Sequence, residues 1–215
     1  MPVIVVANPK GGVGKSTLAT NMAGALARAG HAVMLGDVDR QQSSRQWLAM
    51  RPAHLPTIEG WEVSHQEIVR PPKGTTHVVL DTPAGLHGKR LEAVLRIADR
   101  LIVPLQASLF DIQATHAFLT ELREHRRGAA LETVLVGNRV REHTRSIEQL
   151  QSYLATLPHP VLAWLRETQN YLHLAAHGLT LFDVAPGRVE RDLQQWAPLT
   201  AWLLGRSSAA GVQAA

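Results

Sequence analysis

Short apolar runs alternate along the chain with longer segments in which apolar positions recur every three or four residues. Pro2–Ala7 is the first run, uninterrupted and rich in valine, the pattern of a strand buried on both faces. Past the glycines at 11, 12 and 14, Lys15–Ala29 carries Leu18, Met22, Ala25, Leu26 and Ala29 at helical steps and stops at Gly30. The same reading predicts strands at Ala32–Leu35, Ile58–Val63, Val78–Leu80, Arg100–Leu105, Thr133–Val136 and Pro160–Trp164. It predicts helices at Gln42–Met50, Arg90–Ile97, Ile112–His125, Ser146–Leu157, Asn170–Ala176 and Val189–Leu204. Residues 51–75 hold Pro52, Pro56, Pro71, Pro72 and Gly74 and read as loop-rich around one strand.

Strands separated by helices of this length predict an α/β fold: three layers, with a mostly parallel, doubly wound sheet flanked by helices on both faces. The 215 residues fit one domain over 1–206, and the small, polar stretch 207–215 reads as a disordered tail. Ligands of such sheets bind beyond the carboxyl ends of the strands. Four polar segments directly follow predicted strands: Lys10–Thr17, Asp37–Asp39, Asp81–Gly85 and Asn138–Arg139.

Composition narrows the chemistry. There is no Cys, which excludes a disulfide framework, a thiolate zinc site, an iron–sulfur cluster and a cysteine nucleophile. No apolar run approaches the roughly 20 residues of a membrane span, and the N-terminus lacks the flanks of a signal peptide, so a cytoplasmic protein is expected. The net charge is +4, and the basic residues are 18 Arg against 4 Lys. Arginine favours phosphate recognition because its planar fork donates two parallel hydrogen bonds. His173 and His177 stand four apart, but without an intervening Glu they read as a solvated helix face, and Trp196 and Trp202 read as core packing.

Pro9–Thr17 reads PKGGVGKST between a predicted strand and a predicted helix. Glycines at 11, 12 and 14 let backbone N–H groups converge on an anion, and the helix N-terminus adds partial positive charge. Lys15 can reach the β- and γ-phosphates of a nucleotide, and the Ser16 hydroxyl can ligate Mg²⁺. The pattern departs from G-x-x-x-x-G-K-[ST], since Pro9 stands where the first glycine falls and a second lysine, Lys10, precedes Lys15 by five residues. Asp81, closing the apolar run Val78–Leu80, has the arrangement of a Walker B carboxylate. Asp37 and Asp39, two residues apart, point the same way if the chain there is extended.

The KGGVGKST segment resembles the deviant Walker A motif of the ParA/MinD group of P-loop ATPases, and the resemblance covers nearly the whole chain. It implies ATP and Mg²⁺ as cofactors, with Lys10, Gly11, Gly12, Val13, Gly14, Lys15, Ser16 and Thr17 around the phosphates. It also implies that Lys10 reaches across a dimer interface to the neighbour's nucleotide, where a second cation would offset charge on the leaving phosphate. Asp39 would orient the attacking water, with Asp37 nearer the metal. The group usually shows D-x-D-P-Q where this chain has D-V-D-R-Q. Thr82–Gly85 is similar to a switch that senses the γ-phosphate. Asn138 would bind adenine, with Leu165–Thr168 as the other wall.

Within that group, the tail lacks a bulky apolar face, so membrane anchoring is not expected. Only nine residues precede Lys10, so an N-terminal operator-binding region is not expected either. The chain is most similar to the short partition ATPases. That resemblance implies an ATP-dependent homodimer on the nucleoid, released when an adaptor of ParB type stimulates hydrolysis. Non-specific DNA would bind through surface arginines such as Arg141, Arg145, Arg188 and Arg191. The alternatives are a positioning ATPase for a protein cargo, or a metabolic P-loop enzyme.

Overall fold

A computed structural model describes residues 1–63, 71, 73–142 and 144–205. Its elements, in order, are β1 (Val3–Val6), α1 (Lys15–Arg28), β2 (Val33–Asp37), α2 (Ser43–Ala49), β3 (Ile58–Trp61), β4 (His77–Asp81), α3 (Gly88–Ile97), β5 (Arg100–Leu105), α4 (Leu109–Glu124), α5 (Arg126–Ala129), β6 (Glu132–Val140), α6 (Arg145–Leu154), β7 (Val161–Arg166), α7 (Asn170–Ala175) and α8 (Glu190–Leu203). Two 3₁₀ turns, Leu181–Asp183 and Pro186–Arg188, precede α8. The expected tail at 207–215 lies outside the described residues.

The seven strands form one sheet in the order β3-β2-β4-β1-β5-β6-β7, and every described pairing is parallel. Alternation within each strand splits the core in two. Val3 and Val5 of β1 face a layer with Leu95 of α3, Phe118 of α4 and Leu150 of α6. Ile4 and Val6 face the opposite layer, with Leu18 and Met22 of α1 and Trp196 of α8. Burial on both sides is why these strands read as unbroken apolar runs. The chain leaves β1 toward β2 on one side and later continues through β5 on the other, so the order reverses beside β1. The crevice of a doubly wound sheet lies at such a reversal.

Several boundaries differ from the sequence reading. β6 runs on to Val140, so Asn138 lies inside a strand rather than after one. The ladder to β7 is irregular there, and Arg139 adopts a left-handed φ of 51°. β7 extends to Arg166, which moves Leu165 from the expected loop into the core. The short helix α5 was not expected, and α4 begins three residues early, at Leu109. Trp196 is fully buried as expected, whereas Trp202 is only partly covered, its indole N–H donating to Glu132.

Candidate nucleotide site

The loop between β1 and α1 is held from several sides. Asn8 is fully buried; its amide donates to the Pro104 carbonyl and the Thr115 hydroxyl, and its Oδ1 accepts the Lys10 N–H at 2.8 Å. Gln106 donates to the Gly12 carbonyl at 2.7 Å, and Asn138 donates to the Val13 carbonyl at 2.7 Å. Gly14, at φ 89°, makes the turn into α1, a conformation that a side chain disfavours. With no acidic residue in the first turn of α1, its N-terminal N–H groups and partial positive charge face the loop.

Lys15 is buried, and its ammonium donates to the Lys10 carbonyl at 2.7 Å. Burial holds its pKa below the ordinary lysine value, while Asp81 and Asp39 pull the other way. Two carboxylates therefore share the environment of this one cation. Lys10 itself is partly buried. Across from it, in the first turn of α4, stands Asp111, whose buried carboxyl is raised by desolvation and drawn back by Lys10. Sequence reasoning missed Asp111, because an acid in a helix first turn is ordinary.

The acidic positions separate by role. Asp37, the last residue of β2, spends both oxygens on backbone: Oδ1 accepts from Asp39 N–H, Oδ2 from Ser44 N–H at 2.8 Å and Arg45 N–H at 3.3 Å. Asp37 thus binds the first-turn N–H groups of α2. Asp39 is partly exposed and accepts only the Gln41 N–H among the described residues. Asp81 pairs with Asp37 in register across β2 and β4. Burial pushes its carboxyl up to about 6, against the lowering influence of Ser16 and Ser44. Its Oδ2 accepts the Ser44 hydroxyl, and its buried Oδ1 has no hydrogen-bond partner among the described residues.

That orphaned oxygen, beside the Ser16 hydroxyl, is the hard oxygen donor set that suits Mg²⁺. The residues present therefore fit the metal, and Ser16 and Asp81 are the ones that would hold it. When bound, Mg²⁺ neutralises charge on the β- and γ-phosphates. Thr82–Gly85 follows Asp81 directly. The Thr82 hydroxyl donates to the Val6 carbonyl and the Gly85 N–H to the Pro9 carbonyl, at 2.8 Å each, so this turn is tied to β1 and to the phosphate loop.

A cavity of about 170 Å³ opens beside Gly14 and Thr17 and is lined by Asn138, Arg139, Arg166, Glu167 and Thr168. Arg166 is held by Asp192 of α8 at 2.6 Å, and Asn170 donates to the same carboxylate. Of the segment 165–168, Arg166, Glu167 and Thr168 line this cavity and Leu165 does not. His173 and His177 are exposed, the His177 ring bonding the His173 carbonyl. Arg141, Arg145, Arg188 and Arg191 are also exposed. Two of them are engaged, however: Arg141 with Glu167 and Arg191 with Glu142.

A glycine-rich loop between the central strand and a helix, a lysine within it, and a serine and an aspartate converging beside it define a P-loop nucleotide-binding protein. The chain belongs to the CobQ/CobB/MinD/ParA nucleotide-binding domain family, whose model matches residues 4–181. It is similar to maintenance of carboxysome distribution protein A of Gloeobacter kilaueensis, 38% identical over 116 residues, covering 51% of each chain. It is also similar to the chromosome-partitioning ATPase Soj of Thermus thermophilus, 31% identical over 167 residues, covering 62% of this chain and 66% of that one. The chain thus spans half to two thirds of the length of these relatives. In three dimensions it superposes on MinD in the MinC:MinD cell division complex of Aquifex aeolicus with a TM-score of 0.77 at 16% identity, covering 98% of both chains. No described helix is long and apolar enough to cross a membrane.

Proposed function

We propose that this protein is an ATP-driven positioning ATPase that closes as a homodimer over two nucleotides, binds DNA without sequence preference and is released by hydrolysis. The observation that carries the reading is Lys10. Its side chain is partly buried and the Asp111 carboxylate lies near it, whereas Lys15 is buried. A second, partly exposed cation in the phosphate loop supports the reading that it acts on a neighbour's phosphates. The two most exposed large apolar side chains among the described residues, Leu109 and Phe110, sit beside Asp111 and would be covered by such pairing.

In this reading Lys15 and the loop N–H groups bind the phosphates, Lys10 stabilises charge on the partner's leaving group, and Asp39 orients the water. Ser16 and Asp81 hold Mg²⁺, and Asn138 meets adenine. The test is size-exclusion chromatography of the Asp39→Ala variant with ATP and with ADP. A dimer with ATP alone, lost in the Lys10→Ala variant, is expected; a monomer under saturating ATP overturns the proposal.

The cargo reading has two forms. Similarity to Soj supports partition of plasmid or chromosomal DNA through a DNA-binding adaptor of ParB type, with the ATPase on the nucleoid. Similarity to the carboxysome distribution protein favours a protein assembly as cargo. Both need ATP-dependent, sequence-indifferent DNA binding that weakens with salt, measurable by fluorescence anisotropy.

A further inference from the structure

The loop that carries Asp39 is fixed at both ends by one pair of strand-end carboxylates. At its start, Asp37 Oδ1 accepts the Asp39 N–H at 2.9 Å. At its end, Ser44 engages both carboxylates at once. Its backbone N–H donates to Asp37 Oδ2 at 2.8 Å, and its hydroxyl donates to Asp81 Oδ2 at 2.7 Å. Ser44 is fully buried. Between these anchors, Gln42 adopts a left-handed φ of 51°. A non-glycine residue holds that conformation only where its surroundings over-determine it.

The hydroxyl contact is selective between the two oxygens of Asp81. Oδ2 is taken by Ser44, and Oδ1, although buried, has no hydrogen-bond partner among the described residues. We propose that Ser44 is a positioning residue for the metal site: its hydroxyl sets which oxygen of Asp81 is offered to a divalent cation, and its N–H ties the Asp39 loop to the adjacent Asp37 carboxylate. The inference rests on the metal-dependent nucleotide reading given above and deepens it. Groups that hydrogen-bond a ligating carboxylate orient it, and their loss typically weakens metal affinity roughly 10- to 100-fold.

The experiment titrates Mg²⁺ into protein mixed with a fluorescent ATP analogue and, in parallel, measures analogue binding in EDTA. Ser44→Ala is expected to raise the Mg²⁺ concentration needed for half-maximal response roughly tenfold or more, with affinity in EDTA unchanged within about twofold. A buried serine with a purely structural role would lower both alike. Should Ser44→Ala fail to fold, as judged by circular dichroism, Ser44→Cys serves, because it keeps the volume and donates a poor hydrogen bond. If a folded variant shows the wild-type Mg²⁺ dependence, the assignment of Ser44 is wrong while the nucleotide reading stands. If the wild-type protein itself binds the analogue with no response to Mg²⁺, both fall.

Discussion

The Asn138 amide nitrogen donates to the Val13 carbonyl at 2.7 Å, so a residue of β6 braces the phosphate loop of β1. One of the two amide N–H groups is committed there, and Oδ1, which only accepts, remains for the neighbouring cavity. Such an acceptor complements the exocyclic amine of adenine and opposes the carbonyl oxygen of guanine. Replacing Asn138 with Ala should weaken ATP binding by about 1–3 kcal/mol, the cost of an unmade buried hydrogen bond, and weaken GTP binding less, through the lost brace on the phosphate loop alone. Competition against a fluorescent ATP analogue measures both, and an equal loss for the two nucleotides contradicts the assignment.

Arg51 and Asp183 form an ion pair at 2.9 Å with side chains only 5% and 0% exposed. Burial alone would raise the Asp183 carboxyl, but hydrogen bonds from Arg51 and Thr180 outweigh it and hold the carboxyl below its ordinary value. Arg51 also donates to the Pro56 carbonyl, so it joins the end of α2 to the turn before α8. Removing the cation strands a buried anion. Arg51→Ala should cost about 3–5 kcal/mol in urea unfolding at pH 7. A depressed carboxyl contributes stability above its unfolded pKa and loses it as pH falls through the folded value. The penalty should therefore shrink in acid, below about pH 4.

Asp81 behaves in the opposite sense. Its folded pKa of about 6 lies above that of an unfolded aspartate, so the metal-free folded protein holds the proton more tightly. Its contribution to stability is complete near pH 4 and lost as pH rises through about 6. Asp81→Asn removes the charge. That variant should match the wild type near pH 4 and exceed it by about 1–3 kcal/mol at pH 8 in urea unfolding without nucleotide. Equal stability of the two at pH 8 would count against burial as the cause.

Gly24, in α1, packs on Thr180. A Cβ there would lie 2.5–2.9 Å from three atoms of the Thr180 side chain. Thr180 is fully buried, and it caps the 3₁₀ turn whose Leu181 N–H is accepted by Asn21 of α1. Gly24→Ala should destabilise the fold by about 1–3 kcal/mol through overpacking, despite alanine's better helix propensity. Thermal unfolding followed by circular dichroism checks the sign.

The strand–helix alternation was legible because strands buried on both faces leave unbroken apolar runs, and the phosphate loop because its glycines and lysines act through local backbone geometry. What escaped was tertiary. Asn138 lies within β6, where the ladder to β7 is irregular, and no periodicity announces a register shift. The two carboxylates of Asp37 and Asp39 look alike in sequence. Only the proximity of α2 shows that one is a helix cap and the other is partly open to solvent. Asp111 faces Lys10 across about 100 residues of chain, and Ser44 reaches Asp81 across 37, separations that no local pattern encodes.

The arginine pairs on the surface also change what a polyanion would encounter. Before Arg141 or Arg191 can grip a phosphate, each must let go of a glutamate that stays behind on the same face. Every cation recruited there uncovers an anion, so fewer counterions would be liberated than a tally of basic residues suggests, and the slope of affinity against ionic strength would be correspondingly shallow.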